Sequence, residues 1–337
     1  MVRGIKESPL RRRFTSVGTL LFIVPIVLLV LLSIGTGCRD LVSSVSGSAS
    51  RMNWSFLVVA LSLTVVYRIA NAAAWGLILR SLGHDLPFPH ASRIWLLSEA
   101  CRWLPGGVWN LGSRAALASR AGLPVRVTGA SLGLELLLTV ASWCFLALIG
   151  LTLHCESFGT LWMNLDGGKS LWIGGIVLAG GLGMAVTMRS VPGLHAKVRS
   201  AFVRLLSAIR LQPSSGPMGV AFVSYTLLGG INGLAFFIVI EAVAPGSDLP
   251  LLAAIGVNAA AWLIGFFAVF APGGLLVREG TAAALLVFWL PVELGLLAAA
   301  AWRLVQIASE LLCLAPLTLR FSQGSPSPAV ALSRRSE

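Results

Sequence analysis

Long apolar stretches, interrupted only by an occasional polar residue, recur along this chain. Residues 16–36, 54–79, 127–153, 170–188, 218–243 and 293–319 are six such runs. Each approaches or exceeds the ~20 residues that carry an α-helix across ~30 Å of hydrocarbon. Two further units, 86–121 and 250–290, are apolar but broken in the middle, at Pro105-Gly106-Gly107 and Pro272-Gly273-Gly274. Proline removes a backbone donor and clashes with the preceding turn, and glycine has no side chain to hold a helix, so each unit predicts two helical pieces around a break. The piece after the first break, Val108 to Ala121, is 14 residues and carries Asn110, Arg114 and Arg120. As helix it would reach only about 21 Å. Two re-entrant hairpins therefore fit these units, because irregular backbone at membrane depth is tolerated where protein or a water cavity covers it. The alternative is eight full crossings with each Pro-Gly-Gly an ordinary loop, since residues 250–271 are apolar enough to span. Either arrangement is an all-α polytopic membrane protein.

The two tripeptides lie 167 positions apart in a chain of 337, and each is followed 19 residues later by another proline, Pro124 and Pro291. That spacing suggests two related halves. With three full spans per half, the second half enters from the opposite side, which gives an inverted repeat around a central site. The expected organisation is a basic N-terminus at 1–15, a first repeat at 16–153, an outer loop at 154–169, a second repeat at 170–320 and a Ser/Pro-rich disordered tail at 321–337. Within the second repeat, residues 194–211 place Leu194, Val198, Phe202, Leu205 and Ile209 at helical spacing, with Lys197, Arg199, Arg204 and Arg210 at other positions. This reads as an interfacial helix on the inner leaflet, or more simply as a connector.

Composition excludes a soluble globule: the chain is 56% hydrophobic and only 11% charged. No soluble segment is long enough to hold a separate catalytic domain. The net charge of +12 is explained by sidedness. With the N-terminus inside, 18 basic residues fall in cytoplasmic segments, Arg80, Arg93, Arg114, Arg120 and Arg126 among them, against 3 in outer segments. That is a positive-inside bias, with attraction to an anionic inner leaflet, and it requires no nucleic-acid partner. The four histidines and five cysteines show no metal-ligand spacing. With no HExxH, Walker A or nucleophile-elbow pattern either, no metal, cofactor or catalytic residue is expected. The GxxxG pairs Gly129/Gly133 and Gly229/Gly233 suggest close helix contacts.

Eight ionisable residues remain inside the predicted membrane units: Arg68, Arg102, Arg278, Arg303, Glu99, Glu135, Glu279 and Glu310. At roughly 2.5–3.5 kcal/mol each at the bilayer centre, they must pair or meet water. The signs balance. Glu99 and Arg102 are one helical turn apart, and Arg303 and Glu310 two turns apart on one face. Arg278 and Glu279 directly follow the second break. An arginine fork suits a phosphate, and helix N-termini just after each break add N–H groups for the same anion. The plainer alternative is that these pairs only lock helix packing.

Pro272 to Gly280, PGGLLVREG, resembles the P-G-G-x-G-x-R-E signature of the lysylphosphatidylglycerol synthase transmembrane family of flippase-like membrane proteins. Arg102 to Arg114, RWLPGGVWNLGSR, followed by Glu135 in the next span, is similar to that family's first-half pattern, and Arg303 to its late arginine. Leu276 stands where the family's second motif has glycine. Leu136 stands where an arginine commonly follows the glutamate, which leaves Arg68 or Arg303 to pair with Glu135. The resemblance implies movement of a lipid between leaflets, read here as those of a bacterial inner membrane, and the charge bias places both termini in the cytoplasm. The cargo would be a phospholipid or a polyprenyl-linked or glycolipid species. The candidate cargo-binding residues are Arg68, Glu99, Arg102, Pro105, Gly106, Gly107, Arg114, Glu135, Pro272, Gly273, Gly274, Arg278, Glu279 and Arg303. The alternative function is a non-catalytic membrane scaffold for a glycosyltransferase or lipid synthase partner.

Overall fold

The computed structural model describes residues 52–103, 109–154, 215–268 and 272–322. They form eight α-helices and two short 3-10 turns, with no strand among the described residues. Four helices are long and apolar enough to cross a membrane: α1 (Trp54–Ser81), α4 (Val125–Thr152), α5 (Ser215–Val243) and α8 (Val292–Ser322). Their ends fall within three residues of the apolar runs predicted at 54–79, 127–153, 218–243 and 293–319. The spans expected at 16–36 and 170–188, the interfacial helix at 194–211, the N-terminal segment, the first Pro-Gly-Gly, and nearly all of the outer loop and tail lie outside the described residues.

The remaining helices are the pieces of the two broken units. α2 (Phe88–Glu99) runs into a 3-10 turn at Ala100–Trp103, and α3 (Trp109–Arg120) follows. α6 (Leu251–Phe267) precedes a 3-10 turn at Pro272–Gly274, and α7 (Val277–Leu286) follows it. At 12, 12, 17 and 10 residues, they are about 18, 18, 26 and 15 Å long, so none reaches the ~30 Å of a bilayer core. The two 3-10 turns pack against each other, so the end of the first piece of one unit meets the break of the other.

Packing puts α5 at the centre. Its apolar window is 56% buried against 28% for α1. The largest core joins Phe236, Val239 and Ile240 of α5 to Ala253, Ala254 and Val257 of α6, Leu286 of α7, and Ala298 and Trp302 of α8. A second core packs Trp75 and Leu79 of α1 against Ile94 and Trp95 of α2, Ala118 of α3 and Cys313 of α8. Between these elements small residues allow backbones to approach. A Cβ on Gly256 would lie 2.8 Å from the Gly150 carbonyl carbon, closer than real atoms come, so α4 and α6 cross backbone to backbone. Gly229 and Gly233 are also contact points, against Leu146 and Ile255, but Gly129 faces open space and is not one.

The second break turns the chain through left-handed backbone at three positions: Gly273 (φ 59°), Gly274 (φ 70°) and Leu276 (φ 66°). Two are glycines, for which this region is free of strain. Leu276 is not, and a left-handed non-glycine residue costs roughly 1–2 kcal/mol. Its side chain is half exposed and recovers little of that by burial. Leu276→Gly should therefore raise stability by about 0.5–1 kcal/mol after the added flexibility of the unfolded chain is subtracted. An unfolding midpoint in detergent that falls on this change would contradict the assignment of strain.

Candidate functional site

Arg114 is the hub of a buried ionic network. It lies on α3, only 2% exposed. Its Nη2 donates to Glu99 Oε1 at 2.8 Å, its Nη1 to Glu135 Oε2, and its Nε to Ser98 Oγ at 2.8 Å. The guanidinium also lies over the rings of Trp75 and Trp95, 5.7 and 5.2 Å from their centroids. Trp95 in turn donates from its indole nitrogen to Glu135 Oε1 at 2.8 Å. Residues of α1, α2, α3 and α4 thus converge on one planar cation, whose fixed fork matches two carboxylates as a lysine could not.

From Glu99 the network continues across the molecule. Arg102 is 3.8 Å from Glu99 and donates to Glu310 Oε2 on α8 at 2.6 Å. Glu310 also meets Arg68 of α1 at 3.4 Å. Arg68 is further held by Ser309 Oγ at 2.8 Å and the Gln306 carbonyl at 2.9 Å. One carboxylate thus serves two arginines from different helices. Glu310→Gln should therefore cost about 2–3 kcal/mol of stability, and Arg102→Gln, with its partly exposed side chain, about 1 kcal/mol. Thermal unfolding of both variants in detergent checks that order, and the reverse ranking would remove Glu310 from the centre of this arm.

The second unit builds a separate group. Arg303 of α8 pairs with Glu279 of α7, Nε to Oε1 at 3.1 Å, and donates to the Gly273 carbonyl within the break at 3.3 Å. Arg278, one residue before Glu279, has no carboxylate within ion-pair distance among the described residues. Its guanidinium lies over Trp262 of α6, 5.5 Å from the ring centroid. Its Nε is sealed from solvent without an acceptor, and Glu279 Oε2 is likewise sealed without a donor. Gly265 and Gly274 make the space for this side chain: a Cβ on Gly274 would lie 2.6 Å from Arg278 Nε, and one on Gly265 would strike its Cγ. Beside it is a cavity of about 20 Å³, lined by Asn258, Trp262, Arg278, Glu279, Trp302 and Gln306 among others. That is room for about one water-sized atom. Arg102 and Arg303 repel Arg278 and Glu279 attracts it, so the two groups share one electrostatic environment.

Three expectations from the sequence are corrected. Arg114, counted among the basic residues of cytoplasmic segments, is buried, because α3 folds against α2 and α4 and carries it inside. Among the described residues of the membrane units the signs therefore do not balance: five arginines face four glutamates. Glu135 is paired by Arg114, not by Arg68 or Arg303. Arg303 and Glu310 are about 10 Å apart along one helix and serve different partners. Of the sequence candidates, Arg68, Glu99, Arg102, Arg114 and Glu135 join the first network, and Gly273, Gly274, Arg278, Glu279 and Arg303 the second. The backbone of Pro272 opens the second turn, whereas Pro105, Gly106 and Gly107 lie outside the described residues. Ser98, Trp95, Ser309, Trp262, Asn258 and Gln306 were not singled out by sequence, since neutral hydrogen-bonding and aromatic residues in apolar helices look like packing until their partners are known. Among the described residues no group of His, Cys, Asp or Glu is placed to hold a metal.

Residues 14–312 match the family model described as the lysylphosphatidylglycerol synthase TM region, and the chain belongs to that family. None of the curated proteins matches it.

Proposed function

We propose that this member of the lysylphosphatidylglycerol synthase transmembrane family moves a lipid between the leaflets of the bacterial inner membrane, with the anionic headgroup received at Arg278. One observation carries the reading. The two ionic groups together leave Arg278, beside the second break, without a carboxylate partner among the described residues. Buried cations are costly in a membrane and commonly mark ion or substrate pathways. Packing alone gives no reason to keep Arg278 unpaired.

The geometry divides the labour among the arginines. Arg114 and Arg68 spend their donors on Ser98, Glu99, Glu135, Ser309, Gln306 and Glu310, so they hold the helices in place. Arg278 offers donors to a phosphate, Arg303 stands next to it, and Glu279 Oε2 can accept from a headgroup hydroxyl or amine. Acyl chains would remain in the lipid during transfer. The packing of the Ala100–Trp103 turn against the Pro272–Gly274 turn supports two re-entrant units closing around this point, and alternating access would open it to one side and then the other. Both termini would be cytoplasmic.

The test is a leaflet-resolved assay in proteoliposomes, with fluorescent phospholipid, polyprenyl-linked and glycolipid reporters. The expected result is protein-dependent exposure of at least one reporter. An isolated, well-folded protein that moves none of them, and co-purifies with a glycosyltransferase or lipid synthase, would establish the scaffold role instead.

A further inference from the structure

The charges described inside the membrane units can be counted. The apolar runs at 16–36 and 170–188 contain no ionisable residue, and neither do the undescribed joints at 104–108 and 269–271. Among the described residues, the ions inside the membrane units are Arg68, Arg102, Arg114, Arg278 and Arg303 against Glu99, Glu135, Glu279 and Glu310, an excess of one cation. The ion pairs locate that excess. Arg114 holds Glu99 and Glu135, Arg102 and Arg68 share Glu310, and Arg303 holds Glu279. Arg278 alone is left on an aromatic face, its Nε without an acceptor. Desolvating a charge without a counter-charge is expensive, and so is desolvating two anionic charges against a single cation.

We infer that the site selects a lipid headgroup bearing one negative charge, a phosphodiester, over an uncharged headgroup and over a dianionic phosphomonoester or a pyrophosphate. This rests on the reading of Arg278 as the headgroup receptor and adds the rule by which it chooses. The cavity of about 20 Å³ beside Arg278 has room for about one water-sized group, which a phosphate oxygen would fill. Trp262 lies against the guanidinium, and Gly265 and Gly274 leave the space that the Arg278 side chain fills. Glu279 sets the count, because it is the carboxylate next to the receptor and its second oxygen has no donor.

Binding of three diacyl lipids to the purified full chain in detergent, measured by native mass spectrometry at pH 8.5, tests the rule. Diacylglycerol carries no charge, phosphatidylglycerol one, and phosphatidic acid nearly two, since a phosphomonoester loses its second proton near pH 6–7. The wild-type chain should prefer phosphatidylglycerol over each of the others by at least about tenfold. Glu279→Gln raises the excess to two cations and should move the preference to phosphatidic acid. Arg278→Gln should abolish the distinction between phosphatidylglycerol and diacylglycerol, whereas Arg278→Lys, which keeps the charge, should retain it. Equal binding of the three lipids by the wild-type chain, or unchanged selectivity in Glu279→Gln, would overturn the rule. So would displacement of phosphatidylglycerol by millimolar inorganic phosphate, which would make the ligand a free anion. If Glu279→Gln does not fold, the wild-type series decides alone. Lipid movement without charge preference would sink this rule and leave the transport reading standing, and charge-selective binding without lipid movement would do the opposite.

Discussion

Replacing Arg114 with glutamine should destabilise the protein by about 3–5 kcal/mol, the cost of removing one member from a buried ionic cluster. The substitution strands two carboxylates at once. Glu135 would keep only the Trp95 indole, and Glu99 only Arg102 at 3.8 Å. The stacking of the guanidinium over Trp75 and Trp95 is lost as well. Arg114→Lys should recover only part of the loss, because a single ammonium cannot reach Ser98, Glu99 and Glu135 in one plane. The double variant Arg114→Gln/Glu135→Gln should be more stable than Arg114→Gln alone, since the second change removes a charge that the first left uncompensated. Denaturant or thermal unfolding in detergent measures all three. A wild-type midpoint for Arg114→Gln would mean that Glu99 and Glu135 find water or another cation, and the hub role would be lost.

Why Arg114 was misplaced by sequence is physically specific. Run length and hydropathy find long helices, because crossing a bilayer imposes a fixed length on an apolar segment. α1, α4, α5 and α8 were legible for that reason. The positive-inside count, however, treats each arginine flanking a span as exposed to water. α3 is short and polar by composition, and only its docking between α2 and α4 shows that the polar side chain points inward. Pairing failed in the same way. Spacing within a helix pairs Arg303 with Glu310, whereas the fold sends each across to a different neighbour, α7 and the first 3-10 turn. The α4–α6 crossing at Gly150 and Gly256 was invisible for a related reason: its two glycines are on different helices and form no local motif. The breaks were legible, since Pro-Gly-Gly disrupts a helix wherever it falls. That the Ala100–Trp103 turn packs against the Pro272–Gly274 turn was not, because nothing local encodes contact between segments so far apart.

Arg278→Gln should reduce lipid transfer by roughly 10- to 100-fold, the worth of a charged hydrogen bond of about 1.5–3 kcal/mol made to the cargo. It should do so without the stability loss of Arg114→Gln. Arg278 has no carboxylate to strand, and its Nε gives up no hydrogen bond on removal. Deleting a cation that has no carboxylate partner among the described residues should leave the unfolding midpoint unchanged or raise it, as expected when a residue is retained for function at the expense of the fold. The two arginines therefore make opposite demands on one pair of assays. Arg114→Gln lowers the midpoint, and any loss of transfer follows from that. Arg278→Gln keeps the midpoint and loses transfer. Reconstitution of both variants at equal density in proteoliposomes, beside unfolding in detergent, separates the two effects. Wild-type transfer by a folded Arg278→Gln protein would show that the unpaired arginine is not the headgroup receptor, whatever the chain moves.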